Sequence, residues 1–419
     1  MQNLYSYPSP DALAHLDSAQ ARYNANILAI RLLKQLELDK VLPGSISLTE
    51  QHILAAYAGW GDTDTYNLGV QVDATGQLHG ELVELVTEAE LKAIRRSRLT
   101  GFYTPLPLAQ VIWDGLLWLG LDKCGDGLKV LEPACGSGVF LSTMPDAIRS
   151  RVTHVRASEL DKISARITQY LHPSAVVHAE AFETLALPEN AFDLVISNVP
   201  FGNIPIFDAA IVADEDFLKR TLHDYFLSRA VRLTRPGGIV ALLTSYGSLD
   251  KKNGRVREWI AERADLLAAM RLPSGTFAGN AGTKAGADLL FLRKHVDGEL
   301  PKPAEWLGLG SHRQWSVYAS TSVSYPINAY FNVHPEHVLG TLQPDTTAHG
   351  ESLLVLETEP GEHLSRLPEL LTTVLPQNSV TAPPIQKVSH SVGGNVLTRR
   401  RSSTLRWMRR LLRLPMITR

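Results

Sequence analysis

The sequence predicts an α/β protein: a Rossmann-like seven-stranded sheet flanked by helices, preceded by a helical region and followed by a C-terminal appendage. Three observations predict it. From Gly101 to about His295 apolar strand-like runs alternate with helical segments, the pattern of a parallel sheet. A glycine loop, Leu131-Glu-Pro-Ala-Cys-Gly-Ser-Gly-Val-Phe140, directly follows the apolar run Leu128-Lys-Val-Leu131. About sixty residues later the corner Ser197-Asn-Val-Pro-Phe-Gly-Asn203 follows a second run, Phe192-Asp-Leu-Val-Ile-Ser197.

Residues 1–100 read as a helical region. Apolar residues recur at helical spacing from Ala19 to Leu38, and again over Leu48-Thr-Glu-Gln-His-Ile-Leu-Ala-Ala-Tyr57, which stops at the turn Gly59-Trp-Gly61. A third helix spans Thr87 to Arg98, opened by the capping box Thr87-Glu-Ala-Glu90. Trp60 reads as a packing anchor. Residues 101–295 form the sheet domain. Its strands are expected near 128–132, 153–158, 175–179, 192–197, 237–244, 265–271 and 287–293. Helices are expected near 105–119, 138–149, 160–171, 221–234 and 253–263. Leu233-Thr-Arg-Pro-Gly-Gly238 reads as a helix stop and turn before the fifth strand. Only a loop separates the last two strands, which predicts an antiparallel hairpin at the sheet edge.

Residues 296–378 are richer in proline and lack regular alternation, so they read as a helical or extended appendage. Residues 379–419 read as a basic, solvated tail containing Arg399-Arg-Arg401 and a stretch of amphipathic spacing from Leu405 to Leu414. The net charge of −2 conceals this asymmetry: the chain from residue 370 onward carries +9, and the remainder −11. An acidic body is no general nucleic-acid magnet, so DNA contact requires local basic patches. No apolar run approaches the roughly 20 residues that span a bilayer, and Met1-Gln-Asn-Leu-Tyr-Ser-Tyr-Pro8 is not a signal peptide. With only Cys124 and Cys135, no disulfide framework is available, and no Cys/His cluster has zinc spacing. A cytoplasmic protein without a metal site is therefore expected.

The chemistry follows from the two loops. Gly136 and Gly138 allow a sharp turn and close backbone approach to a ligand, and the helix expected after them offers free N–H groups to a carboxylate. Glu132, ahead of Pro133 in the same loop, is placed to pair with the α-amino group of a methionine moiety. Glu159, ending the second strand, suits ribose hydroxyls, whereas Asp161 reads as a helix N-terminal residue. Phe182, after the third strand, suits packing on an adenine, with Glu180 or Glu183 as partner for its amino group. Thr104-Pro105 opens the helix before the first strand, where a hydroxyl and free N–H groups suit the methionine carboxylate or simply cap the helix. In Asn198-Val-Pro-Phe201 the Asn198 amide oxygen can accept from an exocyclic amine, Pro200 fixes the turn and Phe201 offers a stacking face. A glycine loop followed by such a corner suits S-adenosylmethionine-dependent methyl transfer to a planar amine.

In this order Thr104-Pro105, Leu131 to Phe140, Glu159, Phe182 and Asn198 to Phe201 resemble the N6-adenine DNA methyltransferases whose cofactor loop precedes the catalytic loop. A closer resemblance is to the methylase module of the very large methylase–helicase proteins of plasmids, phages and integrative elements. That likeness runs from about residue 20 to 340. It includes Ala56-Tyr-Ala-Gly-Trp-Gly61, Leu249-Asp-Lys-Lys252, Arg271-Leu-Pro273, Gly282-Thr283, Asp288-Leu-Leu-Phe291, Tyr330-Phe331 and Pro335-Glu-His-Val-Leu-Gly340. The resemblance implies an adenine-specific, site-specific DNA methyltransferase using S-adenosylmethionine, with Asn198, Pro200 and Phe201 as its catalytic corner. A restriction-modification or mobile-element setting and a helicase module acting in trans are further implications.

The sequence departs from that family in three places. Val199 stands where the commoner corner has a first proline. No Gly-x-x-x-x-Gly-Lys-Ser/Thr is present, Gly279-Asn-Ala-Gly-Thr-Lys284 being the nearest approach. The arginine-rich end after about Gln377 does not match the family's continuation and reads as a truncated or frame-shifted terminus. Two other functions share the motifs: methyl transfer to a protein glutamine or RNA guanine, and a non-catalytic cofactor-binding remnant.

Overall fold

The computed structural model describes residues 4–98, 104–277, 286–316, 321–347 and 350–380. The segment Gly282-Thr283 and all but the first two residues of the basic tail lie outside them. The described residues fall within one compact unit. Its centre is a seven-stranded sheet: β1 Leu128–Glu132, β2 Val152–Ser158, β3 Val176–His178, β4 Phe192–Asn198, β5 Thr234–Ser245, β6 Ala264–Leu272 and β7 Ala287–Lys294. The strand order is β3-β2-β1-β4-β5-β7-β6. β1 to β5 pair in parallel, while β7 runs antiparallel to both β5 and β6. This is the expected α/β fold class. The antiparallel pair is present, but β7 occupies an interior slot and β6 forms the edge.

β4 is buried along its whole length except at Asn198, the residue where it reaches the edge of the sheet. A strand buried on both faces reads as a continuous apolar run, and Leu194, Val195 and Ile196 are fully enclosed. Two local expectations change. The helix expected at 138–149 is two single turns, Val139–Ser142 and Asp146–Arg149, because Pro145 has no N–H to continue the ladder and disfavours helix before it. The Thr-Arg-Pro-Gly-Gly segment belongs to β5, which begins at Thr234 with a register break opposite Phe192–Leu194. Gly238 fits there because a Cβ would lie 2.9 Å from the Asp193 carbonyl oxygen.

The N-terminal region supplies α1 Ala19–Leu38, α2 Leu48–Ala55 and α3 Glu88–Ser97. α3 begins with the expected capping box between Thr87 and Glu90. Glu90 also binds Lys34 at 2.7 Å and pairs with Arg166, and these cations with the Thr87 N–H hold its carboxyl down at about 2 against the pull of burial. These helices share a second core with Ile163, Ile167, Tyr170 and Leu171 of α5 Lys162–Leu171. The helix α4 Leu106–Trp118 leads into β1. A further connecting helix, α6 Leu222–Leu233, links the Asn198 corner to β5.

The C-terminal segment forms two hairpins, Leu309–Ser316 with Thr321–Asn328 and Thr341–Thr347 with Gly350–Leu356, then α7 Glu362–Val374. It joins the sheet's core through Trp306, Tyr325, Phe331, Leu353 and Leu371. The Trp118 indole N–H donates to the Leu375 carbonyl at 2.9 Å, fixing the end of α7 against α4.

Several sequence motifs outside the two loops converge on one buried side chain, Arg271. Its guanidinium donates to both carboxylate oxygens of Asp288 at 2.9 Å and to those of Asp250 at 2.7 and 3.0 Å. The rings of Tyr246 and Phe331 lie against it, their centres 4.1 and 4.2 Å from the guanidinium carbon. Asp250 additionally accepts from the Asn328 N–H at 2.8 Å. The segments Leu249–Lys252, Arg271–Pro273, Asp288–Phe291 and Tyr330–Phe331 are thereby tied into one ionic knot that joins β6, β7 and the first C-terminal hairpin.

Candidate active site

A cavity of about 330 Å³ opens at the C-terminal ends of β1, β2 and β4, where ligands of open α/β sheets bind. Thr104, Glu132, Pro133, Gly136, Glu159, Phe182, Asn198 and Pro200 all line it. Pro105, Gly138 and Phe201 do not.

The glycine loop is a tight turn. The Cys135 N–H donates to the Ser158 carbonyl at 3.0 Å, and the Gly138 N–H donates back to Cys135 at 2.8 Å. Gly136 and Gly138 both have positive φ, 52° and 83°, which glycine adopts without strain. Their surroundings differ. Gly136 lines the cavity, whereas a Cβ on Gly138 would meet the His172 ring at 2.9 Å and Thr168 at 3.1 Å. Gly138 is thus a packing glycine against α5, a correction to the expectation that it faces a ligand. The helix after it is a single turn and provides no extended N-terminus for an anion.

Glu132 is 1% exposed, and its Oε2 has no hydrogen-bond partner among the described residues. Burial, and then the charge of Glu159, push its carboxyl well above the usual range. An orphaned buried carboxylate in a cavity wall is a strong acceptor for an ammonium group. Glu159 receives the Gly136 N–H at 2.9 Å through Oε2 and the Asp161 N–H at 2.8 Å through Oε1. Its carboxyl is nevertheless raised to about 7, because desolvation outweighs those bonds. It retains lone pairs for hydroxyl donors. Asp161 caps α5, accepting from the N–H groups of Ile163 and Ser164 at 3.1 and 3.3 Å.

Phe182 lies in the cavity wall, tilted against Phe226 at 5.1 Å between centroids, with the Arg229 guanidinium 4.4 Å from its ring centre. Glu180 and Glu183, in the same loop after β3, line the cavity as well. Thr104 does not cap α4: its hydroxyl accepts from Asn198 Nδ2 at 3.2 Å, and Pro105 holds the N-cap position without a side-chain bond. Asn198 is carried on the end of β4, and the next residue keeps the strand's course, the Val199 N–H donating to the Leu243 carbonyl at 3.0 Å. Phe201 is 9% exposed and belongs to the core.

Trp60, Arg96 and Arg98 also line the cavity, so the N-terminal region forms part of its wall. Sequence periodicity carried no sign of this, since these residues approach the glycine loop only through the packing of α3 and α2 on α5. Away from the cavity, His334, Glu336 and His337 bring potential metal-ligating atoms within 4.8 Å of one another. The two imidazoles stack 9° from parallel at 4.9 Å, so their in-plane lone pairs do not meet at one point without ring rotation.

A Rossmann-like sheet of this strand order, with an acid-lined glycine loop and the Asn198 and Pro200 of an Asn-x-Pro-Phe corner in one cavity, defines a class: the S-adenosylmethionine-dependent methyltransferases. Residues 89–302 match the family model described as N-6 DNA Methylase, and the chain belongs to that family of S-adenosylmethionine-dependent DNA methyltransferases. It is similar to the "Defense against restriction protein B" of Escherichia phage P1, 35% identical over 201 residues, covering 47% of this chain and 8% of that protein. It is also similar to the type I restriction enzyme EcoEI methylase subunit of Escherichia coli, 22% identical over 246 residues, covering 54% and 49%. The chain therefore spans at most about half the length of these relatives. Among solved structures, a type I restriction-modification methyltransferase subunit from Streptococcus thermophilus aligns with TM-score 0.39 and 20% identity, covering 47% of this chain and 45% of that one. Among the described residues no helix is long and apolar enough to cross a membrane.

Proposed function

We propose that this protein transfers a methyl group from S-adenosylmethionine to the N6 amine of adenine in DNA. The observation that carries this reading is that Asn198 and Glu132 line one cavity, so a corner suited to a planar amine and a carboxylate suited to an ammonium group open on the same space. When bound, S-adenosylmethionine supplies an electrophilic methyl group on a sulfonium. Glu132 Oε2 holds the amino group, the Gly136 turn admits the chain of the ligand, Glu159 accepts from the ribose and Phe182 packs on the adenine. Thr104 offers its hydroxyl to the carboxylate end, with Pro105 behind it at the N-cap of α4 and Pro133 shaping the loop.

Asn198 positions the target. Its amide oxygen accepts from the exocyclic amine, and Pro200 keeps the corner open, so that the nitrogen lone pair is aimed rather than activated by a base. An adenine inside a duplex cannot reach this recess, so the base is turned out of the stack. Phe201 then offers its ring to that base, which requires it to become more accessible than it is in the isolated chain. Adenine in DNA is favoured by the family and by the relatives that carry restriction-related names. A helicase module in trans is a partner consistent with the family resemblance.

The test is one purified sample offered DNA, RNA and protein with isotopically labelled S-adenosylmethionine. Label recovered as N6-methyladenine in digested DNA is the expected result. Label on a protein glutamine or an RNA guanine alone would replace the reading with the corresponding methyltransferase, and binding of the methyl donor without transfer would leave a cofactor-binding remnant.

A further inference from the structure

We infer that the N-terminal helical region supplies the carboxylate-binding wall of the cofactor cavity, through the Trp60 indole N–H and the guanidinium groups of Arg96 and Arg98. The inference rests on the S-adenosylmethionine reading above.

Trp60 is 3% exposed and lines the cavity, and its Nε1 has no hydrogen-bond partner among the described residues. A buried indole N–H left unpaired is costly, and nearly all such groups find an acceptor. The six-membered edge of the ring faces Gly69, where a Cβ would lie 3.2 Å from Cζ3, so the nitrogen edge points away from that contact. The acceptor it lacks is supplied by a ligand.

The cavity wall carries charges of both signs. Glu132, Glu159, Asp161, Glu180 and Glu183 are acids, and among the described residues Arg96 and Arg98 are the cations that line it. Neither arginine forms an ion pair among the described residues, and Arg98 is steadied by lying 4.3 Å over the centre of the Tyr66 ring. Two guanidinium groups with no ion pair among the described residues line the same cavity as this N–H donor, a set that matches an anion. The ligand that Glu132 selects by its ammonium group carries a carboxylate on the same carbon. Thr104 offers that carboxylate a hydroxyl but no charge, so the charge-assisted bonds fall to the arginines.

The experiment measures two ligands by calorimetry on the full chain, S-adenosylhomocysteine with the carboxylate and decarboxylated S-adenosylmethionine without it. Because they also differ in the methyl on sulfur, each variant is compared with the unaltered protein for the same ligand. For Trp60→Phe and Arg98→Gln we expect roughly tenfold weaker binding of S-adenosylhomocysteine each, the size of one lost charge-assisted hydrogen bond. Binding of the decarboxylated ligand should change less than about twofold, because a group that only meets the carboxylate cannot affect a ligand without one. Arg98→Gln keeps the inference testable if Trp60→Phe disturbs folding. Equal losses for both ligands, or no loss for either, would overturn it. Failure of the unaltered protein to bind either ligand would instead overturn the cofactor reading itself.

Discussion

Asn198 Nδ2 donates to Thr104 Oγ1 at 3.2 Å, linking the corner at the end of β4 to the start of α4 across 94 residues of chain. This bond helps to orient the amide whose oxygen is proposed to hold the target amine. It also couples the two halves of the cavity, since Thr104 precedes β1 and Asn198 ends β4.

Asn198→Ala should abolish methyl transfer while leaving affinity for S-adenosylhomocysteine within about twofold, because the amide meets the substrate and not the cofactor. Thr104→Val should lower turnover by roughly tenfold, the effect of releasing one hydrogen bond that orients the amide, and should also weaken binding of the methyl donor, which loses the hydroxyl at its carboxylate. Single-turnover rates and calorimetry on the same samples separate the two. A large loss of cofactor affinity in Asn198→Ala would contradict the assignment.

Gly138→Ala should destabilise the fold rather than block a ligand. The residue has φ of 83°, and its Cβ would press on the His172 ring at 2.9 Å. The left-handed conformation alone costs about 1–2 kcal/mol, and the clash adds to it. Thermal denaturation should show a drop of several degrees, while calorimetry on the folded fraction shows unchanged cofactor affinity. An unchanged melting temperature with lost binding would return Gly138 to the cavity wall.

Cofactor binding should release protons. Glu132 is raised well above the usual carboxylate range and Glu159 to about 7, so the ligand-free native state holds protons that the unfolded chain gives up near 4.5. Stability of the ligand-free protein should therefore fall as pH rises from about 4.5 through 7. A cation beside Glu132 favours its ionised form, so affinity should rise over the same interval. Calorimetry at pH 6.5 in buffers of different ionisation enthalpy measures the proton count directly, and a value of zero would contradict it.

Arg271→Ala should cost roughly 3–5 kcal/mol, the penalty for leaving buried Asp288 and half-buried Asp250 without their cation. Arg271→Met together with Asp288→Leu should recover part of that loss, because no carboxylate then remains fully buried and unpaired. Urea denaturation of the single and double variants checks both, and equal stability of all three proteins would show the ionic knot to be neutral.

The strands were legible because β4 and β5 are buried on both faces and β1 is exposed only at Lys129, and such strands leave apolar runs that local reading finds. Asp161 and Glu90 were legible for a similar reason, since a helix cap acts within three residues. What was not legible depended on distance or on backbone sign. Trp60 lies far from Glu132 in the chain, and its place in the cavity follows from the docking of α2 and α3 on α5. Gly136 and Gly138 look alike in sequence, and only their differing surroundings assign one to the cavity and the other to His172. Arg271 likewise reads as part of a motif, but its two carboxylate partners come from separate segments brought together by β6 and β7.

The interior position of β7 has a consequence for how the protein is made. Synthesis delivers β6 before β7, yet β6 cannot join the sheet until β7 has docked on β5. A nascent chain that ends before Ala287 therefore carries β5 with one whole side of backbone donors and acceptors unpaired, along a strand made largely of buried residues. The interval between the emergence of Ser245 and that of Lys294 is when the growing polypeptide is most prone to pair with a neighbour, and where a holding chaperone would have most to protect.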